Sequence, residues 1–169
     1  MSTSTVETFE SSLEELDISM TRTVSANFEA TIESLVGDPA VGVPLDAYEG
    51  LSLSNTSVET PPTPQLLKSS ETGVTPVGKA IAEYGTLVLD SDSVGTEPVS
   101  LYPPHHVGIV RENDVLETVD SAGGHLERRF DAGTSSIFAT GVSSTGDMGS
   151  LVEGVHGPKN VDVVLITNQ

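Results

Sequence analysis

Val6, Phe9, Leu13 and Leu16 recur at helical spacing behind Ser4-Thr5-Val6-Glu7, which has the form of a capping box. This predicts a first helix ending near Asp17. A second helix is predicted with Ser25 as its cap, Phe28, Ile32 and Leu35 on one face, and Gly37 just past its end. Val41-Gly42-Val43-Pro44 reads as a short strand stopped by the proline. From 51 to 64 the chain turns to Ser, Thr and Pro, which predicts a loop with an edge strand at 56–59. Pro64 then opens a short helix through Lys68.

The second half carries four continuous β-type runs, at 85–89, 107–110, 137–140 and 161–166. Short apolar runs without alternation suit strands buried on both faces, so all four are expected in one sheet covered by helices. A short helix capped by Asn113 is predicted over 113–119, with Val115, Leu116 and Val119 apolar. Strands interleaved with helices predict an α/β fold with a mostly parallel sheet. Ligands of such sheets sit beyond the carboxyl ends of the strands, so the loops that follow strands are the places to search.

Composition narrows the function. The 169 residues, 17.6 kDa, fit one domain. With no cysteine, the chain holds no disulfide, thiolate zinc site or cysteine-bound iron–sulfur cluster. Seven Lys+Arg against 25 Asp+Glu leave a formal charge of −18, which repels nucleic acid and anionic lipid. No apolar run approaches the roughly 20 residues of a membrane helix. The N-terminus lacks the basic and apolar regions of a secretory signal, so a cytoplasmic protein is expected. The acidic excess fits a salt-filled cytoplasm, as in extreme halophiles, or simply a solvated acidic face.

Three loop regions could carry chemistry. In the first, Glu83 precedes Tyr84-Gly85-Thr86 at a strand entry and reads either as a base or nucleophile, or as a helix-end residue facing water. The second holds His105 and His106. Neighbours on a strand point to opposite faces and cannot share a metal, so a hydrogen-bonded histidine is favoured over a ligand, and no metal site is expected. The third runs from Thr140 to Gly149, with Gly154-Val155-His156-Gly157-Pro158-Lys159 close behind. Glycines and hydroxyls there offer an anion cradle, or are connecting turns.

Taken in order, these segments resemble the LUD-domain family, whose best-known members are the C components of bacterial lactate-utilisation systems. The resemblance rests on Gly73-Val74-Thr75, residues 80–89 around Glu83, Ser100-Leu101-Tyr102-Pro103-Pro104-His105-His106, the loop Thr140–Asp147, and residues 154–159. It covers about 73–166; residues 1–72 match only in helical character, within an expected single domain over 1–169. It implies a fold like that of sugar-phosphate isomerases and CoA transferases. It also implies a part in oxidising L-lactate to pyruvate, with iron–sulfur clusters on partner subunits and no cofactor in this chain. The family loop runs Thr-Gly-Pro-Ser-Arg-Thr-Ala-Asp-Ile-Glu; here Val142, Ser144 and Gly149 replace the proline, the arginine and the glutamate. The arginine would have been the best anion clamp in that loop.

Loop position and resemblance together nominate Glu83 for catalysis. They nominate Thr86, His106, Gly141, Ser143, Thr145, Gly146, Asp147, His156 and Lys159 for binding a small carboxylate or phosphate. His156 and Lys159 would form a local positive spot in an acidic protein. The alternatives are a stand-alone transferase- or isomerase-like enzyme using Glu83, and a non-catalytic metabolite-binding subunit.

Overall fold

Ser4 caps the first helix, α1 (Thr5–Glu15), through a complete capping box. Its hydroxyl accepts from the Glu7 N–H, and the Glu7 carboxylate accepts from the Ser4 N–H. The computed structural model describes residues 4–145, 152, 153, 156–167 and 169. After α1, Asp17 takes a left-handed turn (φ 58°) into β1 (Ser19–Thr23). Then come α2 (Phe28–Leu35), β2 (Ala40–Gly42), β3 (Val58–Glu59), α3 (Pro64–Ser69) and β4 (Thr72–Pro76). The middle of the chain gives β5 (Lys79–Ile81), β6 (Thr86–Asp90), α4 (Thr96–Leu101), β7 (His105–Arg111) and β8 (Val115–Leu116). α5 (Gly123–Asp131), β9 (Ser136–Thr140), β10 (Ser144–Thr145), β11 (Val152–Glu153) and β12 (Asn160–Ile166) follow.

The central sheet has six strands in the order β1-β12-β7-β4-β2-β3, every pair parallel. Helices α1 to α5 interleave with these strands, and only the β2–β3 connection lacks one among the described residues, so this is the α/β architecture expected from the sequence. Each face carries its own core. Val107, Ile109, Val164 and Ile166 pack with Phe28 and Ile32 of α2. On the opposite face Val110, Val163 and Leu165 pack with Phe9 and Leu13 of α1 and with Leu87 and Leu89 of β6.

That second face departs from expectation. The runs at 85–89 and 137–140 form β6 and β9 of a separate four-stranded sheet, order β8-β5-β6-β9, in which β6 pairs antiparallel with both β5 and β9. An apolar run signals burial but not which sheet the strand joins, and β9 is only half-buried. Glycine lets the layers approach: a Cβ on Gly108 would lie 3.1 Å from Leu87 Cδ1 and 3.1 Å from Val77 Cγ2.

Two local expectations are also corrected. Ser25 does not cap α2; it sits inside a 3-10 turn (Ser25–Asn27) that leads into the helix, and its hydroxyl accepts from Gln169 Nε2 at 3.1 Å. The helix predicted over 113–119 is a 3-10 turn (Glu112–Asp114) followed by β8, which pairs with Ala80 and Ile81. Seven residues give a helix little intrinsic stability, and pairing with β5 wins. Asp114 is anchored there by Lys79 and Arg111.

Candidate functional site

Because β9 belongs to the second, mixed sheet, the Thr140 loop does not leave the carboxyl end of a central strand. It folds instead against the amino ends of β7 and β12. Ser143 N–H donates to Pro158 O at 2.8 Å, and the N–H groups of Lys159 and Asn160 both donate to Pro104 O, at 2.7 and 3.1 Å. Close approach of the two loops depends on a small residue, since a Cβ on Gly157 would meet Ser143 Cβ at 3.1 Å.

Between these loops and the two sheets lies a cavity of about 210 Å³. Its buried wall is Ile18, Leu87, Leu89, Ser100, His106, Pro158 and Val161. Its rim is half-buried or exposed and includes Leu101, Ile137, Ala139, Val142, Ser143 and His156. Among the described residues no Lys, Arg, Asp or Glu lines it.

His106 is the polar group of the buried wall whose bonding is incomplete. It is 2% exposed, and its Nε2 lies 2.8 Å from Thr75 Oγ1 on β4. Its Nδ1 has no hydrogen-bond partner among the described residues. Burial, and then the neighbouring His105, push its pKa down to about 4, so the imidazole is neutral around pH 7. Ser100, by contrast, donates its hydroxyl to Glu97 O at 2.7 Å.

Val142 and Val161 also wall a wider groove of about 750 Å³ along the amino ends of the central strands. There His105, on the opposite sheet face from His106, bonds Thr72 Oγ1 through Nδ1 (3.2 Å) and Asp162 Oδ2 through Nε2 (2.7 Å). Thr72 Oγ1 in turn accepts from the Gly37 N–H at 2.9 Å. Lys159 lines this groove beside Asp17, Asp38, Glu71 and Asp162, so it is outnumbered by carboxylates. Lys159 and His156, expected to share one positive spot, line two different cavities that have Val142 and Val161 as common walls.

The nominated residues therefore divide. His106, Gly141, Ser143 and His156 share the smaller cavity. Thr86 reaches it indirectly, its hydroxyl 2.6 Å from the Thr140 hydroxyl. Lys159 belongs to the groove. Glu83 lines neither; it is exposed in a 3-10 turn (Ala82–Tyr84), and its carboxylate accepts from the Val119 N–H at 2.9 Å. Thr145 pairs with Val152 across β10 and β11. Gly146 and Asp147 lie outside the described residues. Sequence reasoning missed Thr75, Thr72 and Asp162; Thr75 stood in a quoted motif, but nothing in a strand sequence marks which hydroxyl meets which ring. Among the described residues no group of three or more His, Asp or Glu could hold a metal ion, and no helix is long and apolar enough to cross a membrane.

A solved DUF162 family protein from Deinococcus radiodurans superposes with a TM-score of 0.74 over 96% of both chains at 22% identity, which establishes the fold. A lactate utilization protein C from Deinococcus radiodurans is 34% identical over 89 residues, 52% of this chain and 42% of that protein. Lactate utilization protein C 1 from Bacillus mycoides is 29% identical over 107 residues, 60% of this chain and 46% of that protein. The matches thus span under half the length of those relatives. The LUD domain itself matches residues 5–166, nearly the whole chain, and the protein belongs to the LUD domain family.

Proposed function

We propose that this protein works in lactate utilisation, binding a small carboxylate in the cavity around His106 while iron–sulfur partner subunits carry the electrons. The observation that carries the reading is the similarity to several proteins named lactate utilization protein C. Oxidation of L-lactate to pyruvate releases two electrons and two protons. A chain without cysteine has no thiolate to hold an iron–sulfur cluster, so in this reading the acceptor is a cysteine-rich partner. The place of action is the cytoplasm.

The cavity supports a small ligand. As bounded by the described residues it measures about 210 Å³, below the roughly 300–1,000 Å³ of drug-sized pockets and enough for an acid of a few carbons. The reading as a stand-alone transferase or isomerase finds less support, since Glu83 is exposed and apart from the cavity. Affinity purification from the native host in high salt is the test. Co-purification of cysteine-rich iron–sulfur proteins, with loss of growth on lactate when the chain is deleted, is the expected result. Normal growth on lactate without the chain overturns the reading.

A further inference from the structure

We propose that the cavity takes an aliphatic 2-hydroxy or 2-oxo monocarboxylic acid tail first, with the 2-oxygen on His106 Nδ1 and the carboxylate left at the rim. The inference rests on the lactate-utilisation reading and adds ligand class, orientation and the residue that reads it. Three features point the same way. The buried wall is mostly aliphatic, with Leu87, Leu89 and Val161 offering a surface for a short alkyl group. No charged side chain lines the cavity among the described residues, so a carboxylate or phosphate deep inside would be desolvated without a counter-charge. At the rim, Ser143 and the exposed His156 can meet a carboxylate that still touches water.

His106 supplies the discrimination. Thr75 occupies Nε2, which leaves Nδ1 for the ligand. With the proton on Nε2, donated to Thr75, Nδ1 accepts from a 2-hydroxyl. With the Thr75 hydroxyl donating instead, Nδ1–H donates to a 2-oxo oxygen. A neutral imidazole thus serves both members of a hydroxy-acid/oxo-acid pair by reversing one hydrogen bond. A cavity volume of about 210 Å³ equals about seven waters at ~30 Å³ each, enough for such an acid with a few carbons.

The test is calorimetric titration of the full chain in high KCl with L-lactate, pyruvate, propionate, malate and inorganic phosphate. Lactate and pyruvate are expected to bind about tenfold or more tighter than propionate, which lacks the 2-oxygen. Malate and phosphate should bind at least about tenfold more weakly than lactate, since each brings a further charge. In His106→Leu the preference for lactate over propionate should collapse to about twofold or less. Histidine-labelled wild type gives an independent readout, a shift of the His106 Nδ1 resonance on saturation with pyruvate. Malate binding as tightly as lactate, an unmoved Nδ1 resonance, an undiminished preference in His106→Leu, or no binding of lactate and pyruvate overturns the proposal. If that happens while growth on lactate still requires the chain, the lactate-utilisation reading stands and only this inference falls.

Discussion

Thr75 Oγ1 lies 2.8 Å from His106 Nε2, and three residues earlier on the same strand Thr72 Oγ1 lies 3.2 Å from His105 Nδ1. Adjacent histidines on β7 are thus each held by a hydroxyl from β4, on opposite faces of one sheet. His105 also has a carboxylate, Asp162, and an open groove; His106 has neither among the described residues. One is built into a polar chain and the other is kept neutral in an apolar wall.

Stability should therefore depend on pH through His106. Its folded pKa, about 4, lies below the roughly 6.5 of an unfolded imidazole. Between these values the unfolded chain binds the extra proton, so stability is full above about 6.5 and falls as pH drops toward about 4. The contribution is on the order of 3 kcal/mol over the window. Urea melts at fixed salt should show wild type losing this much relative to His106→Gln between pH 7.5 and 4.5. Parallel pH curves for the two proteins would show that His106 titrates normally.

Salt should raise the melting temperature steeply. A charge of −18 leaves self-repulsion that counter-ions must quench. Among the described residues Arg22, Lys79, Arg111 and Arg129 are already ion-paired with carboxylates, so little positive charge remains to offset the rest. From roughly 0.1 to 1 M KCl the Debye length shrinks from about 10 to 3 Å, and scanning calorimetry over that range is the check. A flat melting temperature would remove the case for salt adaptation.

How much of this was legible in the sequence follows from where the apolar signal was strong. The capping box, the α2 face, the Pro64 helix and the runs of β6, β7, β9 and β12 are all local patterns, and each gave an element of the right type. β1 (Ser-Met-Thr-Arg-Thr) was invisible because it is a largely accessible edge strand with no apolar run. β4 was hidden for the opposite reason: Thr72 and Thr75 are buried as hydroxyls paired to the two histidines, which no hydropathy pattern reports. α5 opens on Gly123-Gly124 and has a single apolar pair at helical spacing, Leu126 packed half-buried on Ile81, Val88 and Ala122 and Phe130 exposed, too short a stripe to stand out in the sequence. At the site, the sequence named the glycine loop and the His156 turn. It could not tell that β9 joins a second sheet, and so it put the loop at the wrong end of the central strands.

Gly73→Ala should be among the most damaging single-methyl changes. Gly73 sits in β4 directly beneath α4, and a Cβ there would fall 2.1 Å from the Val99 carbonyl oxygen. The obstacle is backbone, so α4 must move off the sheet rather than a side chain rotate. Overpacking of this kind costs about 1–3 kcal/mol, and this site belongs at the upper end. Denaturant melts compared with wild type give the number; a loss under about 0.5 kcal/mol, the size of a neutral surface change, would show that α4 yields freely.

Gly157→Ala should trade little stability for a large effect at the cavity. The added Cβ would meet Ser143 Cβ at 3.1 Å and Oγ at 3.4 Å, and its neighbour here is a half-buried loop side chain. An overpacking cost near the low end, about 1 kcal/mol, is partly offset by the roughly 0.4–1 kcal/mol gained when an unfolded glycine is replaced. The melting temperature should therefore move little. The displacement falls on the loop whose Ser143 N–H bonds Pro158 O at 2.8 Å, the contact that joins the two halves of the rim. Widening that contact separates Ser143 from His156, and lactate affinity should drop about fivefold or more, the worth of one rim hydrogen bond of about 1 kcal/mol. Removing the obstructing Cβ as well, in the Gly157→Ala, Ser143→Gly double variant, should restore the loop spacing. The two substitutions must then be non-additive in both melting temperature and rim geometry, as expected of residues in direct contact. Additive effects would mean that the Gly157 turn and the glycine loop move independently, and that the rim is not a single structural unit.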